Sequence, residues 1–262
     1  MKTRREMLSG LGAALTVLGC GRPTRGAPPD AAADACRFEG PTPHAVTGPF
    51  APKAFRPILR DRPNPGAITP TPEVDFDLTT TAGRPGVARG QVVVIVGQVL
   101  APNCQPVSGA DLQLWQADAA GHYNHRNEGG RVSATDLDPA FGYWGNVQTD
   151  ADGRFTLKTI VPGAYPADDG WWRPPHLHWR VAAQGLGQIT TQSFFDGDVL
   201  DGIKQIRALN RDDLILNIRE SFARSWQREH LPDARRRLRE EMVANFTAQE
   251  GIPTGTLIFH LG

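Results

Sequence analysis

His176 and His178, in the string RPPHLHWRV, are two imidazoles one residue apart and the first candidates for sharing a metal ion. On a β-strand successive side chains point to opposite faces. The pair therefore presents both rings on one face about 6–7 Å apart along the backbone, with Leu177 and Trp179 turned the other way. Such a pair also occurs as surface or hydrogen-bonded histidines, so a metal site needs further donors. Tyrosine is scarce, with 3 in 262 residues, and two fall in loop-like segments: Tyr123 in AGHYNHRN and Tyr165 in VPGAYP. Read alone, each is an ordinary half-buried aromatic whose hydroxyl finds a partner. The Gly/Pro-rich turn at Tyr165 is nonetheless able to bring a phenol back over a sheet.

The elements that must hold these groups are short and β-rich. VVVIVGQVL (92–100) opens a series continued by ADLQLWQA, GRFTLKTIV, HLHWRVAA and GQITTQSFF, separated by Gly, Pro and Asp turns. This pattern predicts a mainly β protein, an antiparallel or mixed β-sandwich with long loops. Asp152-Gly153 predicts a tight hairpin turn. Residues 36–86, rich in Pro and Thr and without a helical period, read as an extended N-terminal arm over a core at 87–200. From 201 the character changes: between 209 and 246 apolar residues such as Leu238, Met242 and Phe246 recur at helical spacing among charges, which predicts one or two surface helices. The run Arg235-Arg236-Arg237 reads as a solvated face, and GTLIFHLG as a closing strand.

Lys2, Arg4 and Arg5 precede a small, apolar run at 8–19, the layout of an export signal. The Arg4-Arg5 pair resembles a twin-arginine signal, and the stretch ending at Cys20 resembles a lipobox in which Cys20 becomes a lipidated N-terminus. Residues 1–19 are thus expected to be a leader and 20–35 a flexible tether. The folded part at 36–262 is expected outside the cytoplasm, touching a membrane only through a lipid at Cys20. That assignment leaves Cys36 and Cys104 as an even pair in an oxidising compartment and predicts a disulfide between them. No run approaches the 18 or so apolar residues of a membrane span. The 28 basic residues balance 28 acidic ones, which argues against nucleic acid as a partner.

The strings WQADAAGHYNHRN, TDADGRFTLKTIVPGAYP, WWRPPHLHWRV and QSFFDGD, with TPHAVTGPF in the arm, together resemble the intradiol ring-cleavage dioxygenases, within them the iron-bearing chain of the protocatechuate 3,4-dioxygenase branch. The resemblance implies one Fe(III) per chain held by Tyr123, Tyr165, His176 and His178. It also implies Arg173 and Gln192 as active-site groups, Tyr165 as both ligand and base, and Gly48 and Pro49 as the arm's contact with substrate. The implied reaction cleaves a catechol-type ring between its two hydroxyl-bearing carbons with dioxygen, giving a cis,cis-muconate, and the resemblance leaves room for a homo-oligomer. His122 and His125 flank Tyr123 as loop groups outside the set. Ala167, where that branch carries a tryptophan, and a shorter loop between Tyr165 and His176 leave the substrate open. A weaker likeness of VSGADLQLWQA and the following hairpin region to transthyretin-like and carboxypeptidase-regulatory sandwiches offers the alternative of a binding module without chemistry. Convergence of both tyrosines on both histidines separates the two readings.

Overall fold

The computed structural model describes residues 40–51, 75–125, 135–168, 170–219, 221 and 223–262. The leader, the tether, Cys20 and Cys36 lie outside these residues. Cys104 is disulfide-bonded.

Two five-stranded sheets face each other. One has the order β1 (Asp75–Asp77), β5 (Arg154–Ile160), β2 (Val92–Leu100), β12 (Ile252–His260), β11 (Thr247–Gln249), and the other β10 (Val243–Asn245), β9 (Gly187–Asp196), β8 (His176–Ala183), β3 (Asp111–Trp115), β4 (Trp144–Gln148). A separate two-stranded ribbon pairs β6 (Tyr165–Asp168) with β7 (Trp171–Arg173). The expected mixed sandwich is present: β2–β5 and β3–β8–β9 pair antiparallel, whereas β12–β2, β1–β5 and β10–β9 pair parallel. The Asp150–Gly153 turn closes tightly, with Gly153 N donating to Asp150 O at 3.1 Å. It is not a hairpin, however, because β4 and β5 depart into opposite sheets. A two-residue turn signal reports local backbone direction, and sheet membership is set by what each strand packs against.

Alternation along the strands builds the core. Val93 and Ile95 of β2, Phe155 and Leu157 of β5, and Phe259 of β12 meet Leu112 and Leu114 of β3 and Leu177, Trp179 and Val181 of β8 between the sheets. Phe155, Trp179 and Phe259 form its aromatic centre, with centroids 5.3–6.1 Å apart. Phe155 lies across Gly97, where a built Cβ would fall 2.0 Å from the ring. Gly97→Ala is therefore expected to cost about 1–3 kcal/mol by overpacking, read as a lower urea midpoint; an unchanged midpoint would show that the ring relocates freely.

The C-terminal region contains α1 (Ile203–Asp212), then α2 (Ser225–Glu229) and α3 (Leu231–Met242), which abut at His230. The first helix starts earlier than its apolar spacing suggests, and DLILN (213–217) lies beyond its end. Asp213 turns extended, and its Oδ1 accepts the Ile215 and Leu216 amides at 3.0 and 2.7 Å, so a side chain replaces the helical carbonyl as acceptor. On α3, Ala234, Leu238 and Met242 are buried four apart. Among the described residues no helix is long and apolar enough to cross a membrane.

The arm at 40–51 is fixed at several points. Thr42 N donates to His260 O at 3.0 Å, and its hydroxyl donates to Glu241 of α3 at 3.1 Å while accepting His260 N at 2.8 Å. Arg237 holds the other Glu241 oxygen at 2.7 Å. Ala45 N then bonds Thr190 O of β9 at 2.9 Å, which directs the arm along the outer face of the second sheet.

Candidate active site

That outer face carries the chemistry. The β3–β8–β9 register aligns Trp115, His178 and Gln192 in one row, with His176 opposite Phe194 in the next. His176 and His178 share this face, as their spacing predicts, while Leu177 and Trp179 enter the core. Trp115 stacks flat on His178, centroids 4.8 Å apart at 8°, which fixes the plane of that imidazole.

Two loops supply the phenols. Asp118 folds the first: its Oδ1 accepts the Ala120 and His122 amides at 2.9 and 3.1 Å, and its Oδ2 accepts the Tyr143 hydroxyl at 2.9 Å. Burial and the Asp118 charge push the Tyr143 phenol far above its ordinary range, so it stays a donor. The second loop lies directly on the first, since Gly163 N donates to Asp118 O at 2.8 Å and a Cβ on Gly163 would stand 2.4 Å from Gly121 N. Only a residue without a side chain permits this approach. Gly163→Ala is expected to force the tyrosine loops apart and to cost about 1–3 kcal/mol by overpacking, read as a lower urea midpoint; an unchanged midpoint would show that the loops adapt.

Tyr123 and Tyr165 converge with both histidines. The Tyr123 hydroxyl lies 3.3 Å from His176 Nε2 and 3.2 Å from His178 Nε2, the Tyr165 hydroxyl 3.3 Å from His176 Nε2, and the two Nε2 atoms 3.1 Å from each other. His176 Nδ1 lies 2.7 Å from the Pro174 carbonyl, which can only accept, so Nδ1 carries the proton and Nε2 turns its lone pair inward. Burial first, and then the Arg173 charge, hold both imidazoles well below their ordinary pKa, hence neutral. One lone pair faces three heteroatoms at hydrogen-bond distance, more than it can satisfy, whereas a central cation satisfies all of them. Among the described residues no three of His, Cys, Asp and Glu gather to hold an ion. The two tyrosines bring the converging groups to four.

The remaining predicted groups surround this point. Arg173 pairs with Tyr165 across the β6–β7 ribbon and donates from Nη2 to Gln192 Oε1 at 2.6 Å. Gln192 Nε2 in turn donates to Val46 O of the arm at 2.7 Å. Gly48, at φ +73°, lies against His178, with a built Cβ 3.3 Å from Cε1. Pro49 follows it in the same turn of the arm. Sequence reading missed Phe50, which stacks on Tyr123 at 4.6 Å and meets Tyr165 edge-on at 6.1 Å. It also missed Trp115 and Asp213, whose roles depend on register and on a long-range contact. His125 meets Phe50 edge-on, and neither it nor His122 is one of the four converging groups.

A family model described as Dioxygenase matches residues 67–236. This chain belongs to the intradiol ring-cleavage dioxygenase family. It is 38% identical over 130 residues to a protocatechuate 3,4-dioxygenase beta chain of Burkholderia cepacia, covering 48% of this chain and 54% of that one. It is 34% identical over 174 residues to a 6-chlorohydroxyquinol 1,2-dioxygenase of Cupriavidus pinatubonensis, covering 61% and 56%. The chain thus spans about half the length of these curated relatives. Among solved structures it resembles the dioxygenase domain of a dioxygenase carbohydrate-binding fusion protein from Streptomyces sp. SirexAA-E, with 25% identity, a TM-score of 0.50, and 85% of this chain and 98% of that one covered. Membership of this family agrees with the tyrosine–histidine convergence and gives the binding-module alternative no support.

Proposed function

We propose that this chain is an Fe(III)-dependent intradiol dioxygenase that uses dioxygen to open a catechol-type ring to a cis,cis-muconate-type product, with one iron per chain. The observation that carries this reading is the meeting of Tyr123, Tyr165, His176 and His178 at one buried point. The donor set fits the ion. Two phenolates offset the charge of a hard trivalent cation, and two neutral imidazoles complete the site without adding charge. When bound, iron would supply the Lewis acidity that ionises phenols at neutral pH and would draw electron density from a chelated catecholate, opening its ring carbon to dioxygen.

The chain's own groups divide the remaining work. Tyr123 is 3% exposed and clamped by Phe50, which suits a permanent ligand. Tyr165 is only partly buried at the start of a short ribbon, which suits a phenolate oxygen that takes the proton of a catechol hydroxyl. Arg173 offers a buried guanidinium to the negative charge that develops on the ring. The Gly48–Phe50 turn lies against His178, Tyr123 and Tyr165 from the arm side.

The deciding experiment is the visible spectrum of iron-loaded protein with anaerobic addition of catechol. A tyrosinate-to-iron charge-transfer band that shifts with catechol is expected, followed by muconate formation on admitting air. Protein that stays colourless after iron reconstitution would defeat the reading. Export and lipidation at Cys20 form part of the same proposal, supported by the leader's charge and apolar pattern. Intact mass of membrane-extracted protein is expected to show cleavage before Cys20 and an added diacylglyceryl group.

A further inference from the structure

We infer that Asp213 is the positioning residue for Arg173, and that this is the chemical task of the C-terminal helical insert. The inference rests on the dioxygenase reading and deepens it. Asp213 is 0% exposed and Arg173 3%, and Arg173 Nε donates to Asp213 Oδ2 at 2.8 Å. Asp213 Oδ1 is fully used by the Ile215 and Leu216 amides, so the carboxylate cannot swing without breaking the turn that follows α1. On the guanidinium, Nε is held by Asp213 and Nη2 by Gln192, which leaves Nη1 as the nitrogen uncommitted among the described residues.

The contacts form one continuous chain: Asp213 of the insert, Arg173 of the ribbon, Gln192 of β9 and Val46 of the arm. Each long side chain is held at both ends, and rigidity of this kind makes a charge effective when a transition state develops. The carboxylate also compensates a guanidinium that would otherwise be buried unpaired beside two neutral imidazoles. Asp213 thus sets both the direction and the net charge of the Arg173 group.

Asp213→Asn tests this while keeping the turn, because the amide oxygen still accepts the Ile215 and Leu216 amides while the NH2 opposes the Arg173 Nε–H, donor against donor, and leaves the guanidinium without its counter-charge. Iron content and the charge-transfer band are expected to stay as in wild type, anaerobic catechol affinity to change by less than about threefold, and kcat to fall about 10- to 100-fold, the size of a lost outer-shell partner. In an Arg173→Gln background the same change is expected to lower kcat less than about twofold, since its effect passes through the arginine. Urea midpoints supply a readout independent of turnover: each single variant should lower the midpoint, and the double variant, with a neutral hydrogen-bonded pair, should recover part of the loss. If Asp213→Asn alone fails to fold, Asp213→Glu, which keeps the charge and displaces it by one methylene, is expected to retain iron and lose kcat in the same way. Equal losses of kcat in both backgrounds, or an undiminished kcat in the folded variant beside an active wild type, would overturn the positioning role alone. A wild type that holds no iron and leaves catechol intact would overturn the dioxygenase reading, and this role with it.

Discussion

His178→Ala is expected to empty the site of iron and to remove catechol cleavage altogether. The imidazole sits mid-strand on β8, stacked on Trp115 and flanked by Gly48, and its Nε2 lies within 3.1–3.2 Å of His176 Nε2 and the Tyr123 hydroxyl. No other described side chain reaches the vacated corner from that strand, because Leu177 and Trp179 face the core. Loss of an outer-shell partner alone costs a metal site about 10- to 100-fold in affinity, so loss of a direct donor must exceed that range. The measurement is iron per chain after dialysis, together with the intensity of the visible band. A variant that keeps both would remove His178 from the ligand set. The sheet itself should survive, since strand pairing from His176 to Ala183 is carried by backbone bonds to β3 and β9.

Tyr165→Phe is expected to act on a different step. Its hydroxyl lies 3.3 Å from His176 Nε2, its ring meets Phe50 and Tyr123 edge-on, and it is only partly buried. Removing one oxygen should weaken iron retention modestly. Loss of the base that accepts a catechol proton should slow turnover about 10²- to 10⁴-fold, the usual range for a positioned general base. Anaerobic stopped-flow mixing with catechol is expected to show delayed formation of the chelated species, with the resting band present but altered. The contrast with His178→Ala is the test: equal iron loss in both variants would contradict separate roles for the two side chains. By the same argument Tyr123→Phe should resemble His178→Ala, because Tyr123 is buried, stacked and close to both imidazoles.

Much of this site is legible in the residues themselves. The H-x-H spacing determines that His176 and His178 share a face, since the two-residue period of a strand belongs to local backbone geometry. The main strands at 92–100, 176–183 and 187–196 are likewise readable from alternation and turn residues, because burial of one face imposes that pattern locally. Gly163 and the GP turn at 48 mark places where backbone comes close, although not to what. The ordered Tyr, Tyr, Arg, His and His residues carry a resemblance that implies iron and ring cleavage without any distance.

What only the tertiary structure decides are relations between segments far apart in the chain. The Asp152-Gly153 turn passes from one sheet to the other, a choice made by which core surface each strand covers. Phe50 joins the tyrosines because Thr42 and Ala45 tie the arm to the C-terminal strand and to β9, contacts that span more than a hundred residues. Asp213 reaches Arg173 across 40 positions, in a segment whose composition suggests only an exposed helix. A carboxylate has no local pattern that distinguishes a solvated partner from a buried one; burial of Asp213 follows from the packing of the insert against the ribbon and β9, and that packing gives the carboxylate its charge-compensating role.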